Sequence, residues 1–327
     1  MDAFFVDTQF GKIMTQKRIV VALGGNAITR EFEDGNIAQQ FANTRRSLIG
    51  ITEIIKDGSI LALTHGNGPQ VGNYLIRVEA TRDKVTPIPL GVMVADLCGG
   101  MGYMITQSLQ NKLIVQNIAR EVTTIPAQVI VDKNDPSILN PTKFVGSFYK
   151  EEQAKKIQKE RNWTMKEDTG RGWRRVVPSP MPISIVEKEI IKDLFDRGVI
   201  VVTVGGGGIP VYITEEKTYE GVDAVIDKDL SSAVLAKELE ADELHLLTAV
   251  EKVALNFGTP RQEYLDSLTV EEAKIYLNEC QFPKGSMGPK IYSAINFLES
   301  GGKKVIITSV EKHLAALEGR TGTTIHN

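Results

Sequence analysis

Cysteine and histidine are scarce in this sequence, and each scarcity excludes a class of site. The 327 residues include two cysteines and four histidines. Cys98 and Cys280 lie far apart and form no CxxC or Cys/His spacing, so the sequence indicates neither a zinc site nor a disulfide framework. The histidines form no HExxH or triad-like arrangement, which leaves hydrolytic chemistry without support. This usage predicts a reducing, cytoplasmic environment.

Long apolar runs and an excess of one charge are also missing. The longest apolar stretches, such as 199–211, are interrupted by glycines and are shorter than the roughly 20 residues needed to cross a bilayer. Residues 1–16 include acidic side chains and predict a loose N-terminal extension rather than a signal peptide. The formal net charge of −3 gives no sign of the basic surface that nucleic-acid binding requires. We therefore expect neither a membrane nor a nucleic-acid partner.

Short aliphatic runs alternate with helical patterns along the chain. The runs end abruptly at Gly, Thr or Ser, as buried parallel strands do, and they lie at 18–23, 60–64, 199–204, 243–248 and 304–308. Helical patterns separate them at 41–58, 185–198 and 230–243. The alternation predicts a doubly wound α/β fold, with ligands at the carboxyl ends of the strands.

The alternation breaks down between residues 131 and 182. This stretch contains NDPS, NPTK, the charged EEQAKKIQKERN and RGWRRVVPSPMP. Long irregular stretches inside compact domains are usually functional or mobile. We interpret 132–182 as an inserted subdomain or lid, and a solvated surface excursion is the alternative.

Glycines form four clusters, which we expect to follow strands. The clusters are Gly24-Gly25-Asn26, Gly66-Asn67-Gly68, Gly99 to Gly102 and Gly205 to Gly208. Glycine lets backbone N–H groups approach a phosphate, and a following helix start adds its positive dipole end. Neither GxxxxGK[ST] nor a GxGxxG after the first strand occurs, which argues against a P-loop and a dinucleotide fingerprint. Each cluster alone could be a tight turn, but together they favour anion binding.

Two lysines stand near predicted helix starts. Lys228 precedes Asp229 in AVIDKDLSS, and Lys290 ends GSMGPK. Phosphoryl transfer needs cations that cancel charge on the transferring group, and an aspartate between two lysines could hold both ammonium groups in position. Either lysine alone could instead be a solvated surface charge. His65, beside Gly66, could contact a substrate, although a structural hydrogen bond is the preferred interpretation.

These segments resemble the carbamate kinase family of the amino-acid-kinase superfamily. In order from about Arg18 to about Thr324, the matching strings are VALGGNA, THGNGPQVGN, NPTKFVG, WTMKEDTGRGWRRVVPSP, VGGGGIPV, AVIDKDLSSA, LTAVEKVALNFGTP, QFPKGSMGPK and RTGT. The resemblance implies a three-layer αβα sandwich around a mainly parallel sheet, with 132–182 as a protruding subdomain. It also implies a homodimer, a carbamate/phosphate lobe at 17–220 and a nucleotide lobe at 221–327.

The resemblance further implies the role of individual residues. Lys228 and Lys290 would flank the transferring phosphoryl group, Asp229 would orient them, and Lys143 would reach in from the subdomain. The substrate and phosphate site would contain Gly24, Gly25, Asn26, Gly66, Asn67, Gly205, Gly206 and Gly207. The nucleotide would be bordered by Thr248, Ala249, Val250, Lys252, Met287 and Gly288. No protein-bound metal is implied, because Mg²⁺ would arrive on the nucleotide phosphates.

The implied reaction is reversible phosphoryl transfer between ATP and carbamate, used physiologically to make ATP from carbamoyl phosphate, commonly at the end of arginine deimination. Carbamate is already an anion, so its oxygen needs no general base, and the sequence offers no convincing one. Two features depart from the family pattern, namely the extension before Lys17 and Cys280, where a glycine is expected.

Other interpretations stay open at this point. An amino-acid-kinase relative could phosphorylate an acylamino acid or a nucleoside monophosphate, although the WTMKED…RGWRR segment is not expected there. A non-catalytic nucleotide sensor could share the fold, since fold does not fix function. Nicotinamide-dependent oxidoreduction is more distant. The apolar segment 91–109 predicts a helix that is buried either in a subunit contact or within one chain.

Overall fold

An eight-stranded sheet lies at the centre of the computed structural model, which describes residues 16–30, 33–283 and 285–327. In spatial order its strands are β15 (Ser267–Thr269), β17 (Thr323–His326), β16 (Lys304–Ser309), β12 (Glu243–Thr248), β1 (Arg18–Leu23), β2 (Ile60–His65), β9 (Ile200–Thr203) and β3 (Val122–Ile125). Neighbours run parallel except β16 and β17. All five predicted strands lie in this sheet, so that prediction is confirmed.

Helices cover both faces of the sheet. The α-helices of the described residues are α1 (Ile37–Lys56), α2 (Gly68–Thr81), α3 (Leu90–Val115), α4 (Pro136–Leu139), α5 (Glu151–Arg161), α6 (Lys188–Asp196), α7 (Lys228–Glu238), α8 (Val270–Asn278), α9 (Met287–Glu299) and α10 (His313–Leu317), of which α4 and α5 belong to the segment 132–182. Alternate residues of β1 point to opposite faces. Val20 and Ala22 join a core with α6, α7, α8 and α9, whereas Val21 and Leu23 join a core with α1 and α3. The three-layer αβα sandwich is therefore confirmed.

Three smaller sheets accompany the central one in the part of the chain that the structure describes. One contains β11 (Tyr219–Gly221), β10 (Ile209–Ile213), β4 (Gln128–Val131) and β8 (Pro182–Ile185); another contains β5 (Lys143–Tyr149), β7 (Gly172–Val177) and β6 (Met165–Asp168); and the third is a hairpin of β13 (Val253–Leu255) and β14 (Glu263–Leu265). The β5–β7–β6 sheet and α5 occupy the middle of the irregular segment. The boundaries 132–182, 17–220 and 221–327 stay predictions, and residues 1–15 of the expected extension lie outside the described residues.

The β5–β7–β6 sheet is attached to α2. Arg161, the last residue of α5, forms a salt bridge with Glu79 of α2. Trp163 packs beneath two guanidinium groups, whose carbon atoms lie 5.3 Å (Arg161) and 4.4 Å (Arg175) from the ring centre. The salt bridge thus joins α5 to α2, while the cation–π contacts tie α5 to the β5–β7–β6 sheet.

The glycine cluster at 99–102 is not a loop after a strand, so this expectation was wrong. It lies in the middle of α3, where neighbouring apolar residues pack into the core at helical spacing. Gly102 allows α3 to approach β3 closely, because a Cβ there would lie 2.3 Å from Thr124 Cγ2. Within the part of the chain that is described, none of the helices is both long and apolar enough to span a membrane.

Candidate active site

The loops that follow β1 and β2 meet the start of α7 at one end of the central sheet. A Cβ at Gly66 would lie 3.1 Å from Gly25 N and 3.2 Å from Lys228 Cδ. Parallel strands bring their carboxyl ends to the same edge, which explains why loops far apart in sequence converge here. Gly66 therefore leaves room for the Lys228 side chain to pass between the two loops.

The glycine turn after β9, formed by Gly205 to Gly208, lies against Asn67. Gly206 has a φ of 66°, and a Cβ on it would lie 2.0 Å from Asn67 Nδ2. Asn67 is 3% exposed, and its Nδ2 has no hydrogen-bond partner among the described residues. A buried donor without a partner costs free energy unless a ligand uses it. This amide therefore suits an anionic oxygen; the side chain of Asn26 lies outside the described residues.

Side chains of α7 fix that helix against the glycine turn and β2. Ser231 Oγ donates to Gly207 O at 2.8 Å, and the hydroxyls of Ser232 and Thr64 lie 2.6 Å apart. The N-terminus of α7, where backbone N–H groups and the helix dipole favour anions, is thereby held among the strand-end loops.

Lys228, Asp229 and Lys290 form a buried cation–anion–cation cluster. Lys228 is the first residue of α7, and its Nζ donates to Asp229 Oδ1. Lys290, in the first turn of α9, donates from Nζ to Asp229 Oδ2 at 2.9 Å. The side chains of Lys228, Asp229 and Lys290 are 13%, 4% and 12% exposed. The aspartate thus bridges the two predicted lysines, one oxygen to each.

The electrostatics of this cluster keep the aspartate ionised. Burial would raise the Asp229 pKa, but the positive charges of Lys228 and Lys290 outweigh it and lower the pKa to about 2. Burial lowers the Lys228 pKa below its ordinary value, although the neighbouring Asp229 opposes this change. One carboxylate cannot neutralise two ammonium groups, so the cluster retains a positive charge that suits a phosphate.

Lys143 reaches the same end of the sheet from the first position of β5. Its Nζ donates to Ile226 O at 3.2 Å and lies 3.6 Å from Asp227 Oδ2. Ile226 and Asp227 come directly before α7. The structure therefore brings the predicted subdomain lysine to the residues that precede Lys228.

His65 is enclosed rather than presented to a ligand. It is 1% exposed, its Nδ1 lies 3.2 Å from Gly66 O, and a Cβ on Gly205 would meet its ring at 2.2 Å. Burial lowers its pKa to about 4, since the Gly66 carbonyl interaction is too weak to offset the loss of water. A neutral ring that packs on the glycine turn favours the structural interpretation of this residue.

A cleft of about 600 Å³ opens beside the cluster. Its wall includes the predicted nucleotide residues Thr248, Ala249, Val250, Lys252 and Met287. Gly288 does not reach the wall: it is buried, and a Cβ there would lie 3.1 Å from Pro283 O. Its part in nucleotide binding stays a prediction.

Sequence reasoning missed two aromatic residues of this cleft. Phe257 and Tyr264, which follow β13 and lie in β14, are 60% and 61% exposed although both are large and apolar. Exposed rings on a concave wall are typical of sites that bind a planar group. Phe257 lies in the LNFGTP string that carried the resemblance, whereas no sequence signal marked Tyr264.

The chain matches known proteins over nearly its whole length. The amino acid kinase family model matches residues 17–309. The carbamate kinase of Thermococcus kodakarensis is 48% identical over 94% of this chain and 99% of that protein, and the Clostridium perfringens enzyme is 46% identical over 94% and 99%. The structure of Giardia lamblia carbamate kinase bound to AMP-PNP is 41% identical, with a TM-score of 0.89 over 95% of this chain and 98% of that one.

Proposed function

This chain belongs to the amino acid kinase family, among its carbamate kinases, and we propose that in the cell it forms ATP from ADP and carbamoyl phosphate. The observation that supports the proposed site is the buried Lys228–Asp229–Lys290 cluster at the strand ends, beside a cleft large enough for a nucleotide. The cleft and the cluster together would place two phosphate-bearing ligands end to end.

The chemistry requires little from the protein except charge and position. A terminal oxygen of ADP attacks the phosphorus of carbamoyl phosphate, the bond from phosphorus to the carbamoyl oxygen breaks, and carbamate leaves with the electron pair. Both reactants are anions, so their repulsion is the main obstacle. Lys228 and Lys290 would stabilise charge on the transferring group, while the Asn67 amide and the glycine-turn N–H groups would bind its oxygens.

We propose that Mg²⁺ is carried by the nucleotide phosphates. Among the described residues, no group of three or more His, Cys, Asp or Glu side chains could hold a metal ion. Asp229 already binds two lysines, which fits a site that offers ammonium groups and leaves the metal to phosphate oxygens. When bound, the ion would neutralise phosphate charge.

The ATP-forming direction follows from the instability of the product. Carbamate decomposes to ammonia and CO₂, which removes it and draws the reaction toward ATP. We further propose that the enzyme acts in the cytoplasm at the end of arginine breakdown. Both cysteines are free, as expected in a reducing compartment.

The deciding experiment mixes the purified protein with ADP, Mg²⁺ and carbamoyl phosphate and measures ATP. We expect ATP formation that depends on all three. Parallel reactions should offer ATP with an acylamino acid or with a nucleoside monophosphate. Consumption of ATP with one of those acceptors, and no ATP from carbamoyl phosphate, would replace the proposal with another member of the superfamily.

We also propose that two copies pair through α3. One face of this helix buries residues in the core, whereas Val92 and Tyr103 on the other face are 46% and 57% exposed. Gly100, between them, has open space around its Cβ position, so a partner helix could approach closely. Light scattering should give twice the chain mass; a monomer at micromolar concentration would exclude this interface, and Tyr103→Glu should dissociate the pair.

A further inference from the structure

Asp227 makes two contacts in opposite directions at the start of α7. Its Oδ1 accepts a hydrogen bond from Asp229 N at 2.9 Å and so caps the helix. Its Oδ2 lies 3.6 Å from Lys143 Nζ. One carboxylate therefore links the lysine of the β5–β7–β6 sheet to the residue that holds Lys228 and Lys290.

Lys143 contacts a second group beside Asp227, the backbone carbonyl of Ile226. Lys143 Nζ also donates to Ile226 O at 3.2 Å. Ile226 O is itself packed against the glycine turn, because a Cβ on Gly207 would lie 2.4 Å from it. The Lys143 ammonium group thus contacts a closely packed part of the site, while the Lys143 side chain is 30% exposed and the Asp227 side chain is 27% exposed.

We propose that Asp227 is a positioning residue that holds the Lys143 ammonium beside the Lys228–Asp229–Lys290 cluster before carbamoyl phosphate binds. This inference rests on the proposed function. A lysine side chain loses considerable rotamer freedom when its ammonium group is fixed. If Asp227 fixes it in the free enzyme, the substrate does not bear that cost, and it binds more tightly.

An electrostatic effect of Asp227 changes the affinity for carbamoyl phosphate in the opposite direction, which makes the proposal testable. Asp227 is a negative charge near an anion site, so its removal also makes the site more attractive to phosphate. If Asp227 were only a nearby charge, its neutralisation would lower the KM for carbamoyl phosphate. If it positions Lys143, neutralisation raises that KM. The sign of the change therefore separates the two roles.

Asp227→Asn is the informative variant. The asparagine oxygen can still accept the hydrogen bond from Asp229 N, so the α7 cap is kept while the ion pair is lost. We expect the KM for carbamoyl phosphate to rise about fivefold, the scale of a partly exposed ion pair. Turnover at saturation and the KM for ADP should be nearly unchanged, which a general loss of structure would not produce.

Two comparisons complete the test. Asp223→Asn is the control variant. It removes the charge of an exposed carboxylate whose Oδ1 accepts a hydrogen bond from Gly91 N at 3.0 Å, and it should leave the KM for carbamoyl phosphate unchanged. In a Lys143→Ala background, Asp227→Asn should add no further increase in KM, because contacting residues are not additive.

The possible failures are distinguishable. An unchanged or lowered KM in Asp227→Asn, or a full further increase in the Lys143→Ala background, would overturn the positioning role while wild-type ATP formation still supported the proposed function. A wild-type protein that forms no ATP from carbamoyl phosphate would overturn both.

Discussion

At the scale of single residues, the two lysines on Asp229 should dominate turnover. We expect Lys228→Ala and Lys290→Ala each to lower kcat by two or more orders of magnitude, roughly 3 kcal/mol, comparable to the loss of one oxyanion donor. The physical reason is that each ammonium group would face charge that develops on the transferring phosphoryl group. The measurement is ATP formation from ADP and carbamoyl phosphate by folded protein.

Lys237→Ala provides the matched control for those variants. Lys237 lies in the last turn of the same helix, is exposed, and is far along α7 from Lys228. Its removal should leave turnover at the wild-type level. Near-normal turnover in either Lys228→Ala or Lys290→Ala would contradict the catalytic assignment.

Lys143 should affect one substrate more than the other. A charge-assisted hydrogen bond contributes about 1.5–3 kcal/mol, so Lys143→Ala should raise the KM for carbamoyl phosphate by roughly ten- to a hundredfold. The KM for ADP should change much less, because Lys143 contacts the turn before α7 rather than the nucleotide cleft. Steady-state kinetics with each substrate varied in turn would test this, and an unchanged KM for carbamoyl phosphate would count against it.

At the scale of one element, the end of α8 explains the departure at Cys280. Gln281 N donates to Tyr276 O at 3.0 Å and Cys280 N donates to Leu277 O at 3.1 Å, the paired bonds of a Schellman motif. Cys280 has a φ of 57°, in the left-handed region that favours glycine. The glycine expected from the family pattern is therefore the residue that this backbone would accept with the least strain.

Cys280→Gly should consequently stabilise the protein. Relief of the left-handed strain, less the greater entropy of glycine in the unfolded chain, should raise the free energy of unfolding by roughly 0.5–1 kcal/mol. Chemical denaturation measures this change. Cys280→Ala keeps the Cβ and should give no such gain, so equal stability of the two variants would show that the backbone conformation is not the cause.

At the scale of the whole molecule, buried histidine should make the fold sensitive to mild acid. The pKa of His65 falls from 6.5 in the unfolded chain to about 4 in the fold because the ring is buried. Burial also lowers the pKa values of His245 and His313. Below pH 6.5 the unfolded chain binds protons that the folded protein does not, so stability falls as the pH falls.

Urea denaturation at a series of pH values would test this behaviour. The His65 contribution corresponds to roughly 3 kcal/mol once the pH is below its folded-state pKa. His65→Gln should therefore show a shallower decline in stability than the wild type. His326→Gln, which changes an exposed histidine, should keep the wild-type slope. Equal slopes for His65→Gln and wild type would contradict the prediction.

Local sequence was sufficient to predict five of the eight strands of the central sheet, because each of those runs and its abrupt end are specified by neighbouring residues. Runs such as RIVVAL show the hydrophobic pattern and the β-branched residues of a strand, and AVIDKDLSS contains the signal for its own helix start. The order of the family strings added the superfamily and the role of Lys143. The same local reasoning was wrong at Gly99 to Gly102, where close approach of α3 to β3, rather than a turn, requires glycine at position 102.

Tertiary structure alone decided the contacts within the site, although the resemblance had implied that Lys228, Asp229 and Lys290 act together. Asp229 meets Lys290 across sixty-one positions, and Asp227 at the start of α7 meets Lys143 of the β5–β7–β6 sheet. Such contacts depend on how helices and strands pack, and no local pattern encodes their distances. The exposed Phe257 and Tyr264 became visible for the same reason, since a cleft is formed by the space between elements. The sequence by itself thus determined which chemical groups the chain contains, with few metal-binding or hydrolytic motifs and with lysines suited to a phosphate. Packing determined the distances at which those lysines and their partners meet.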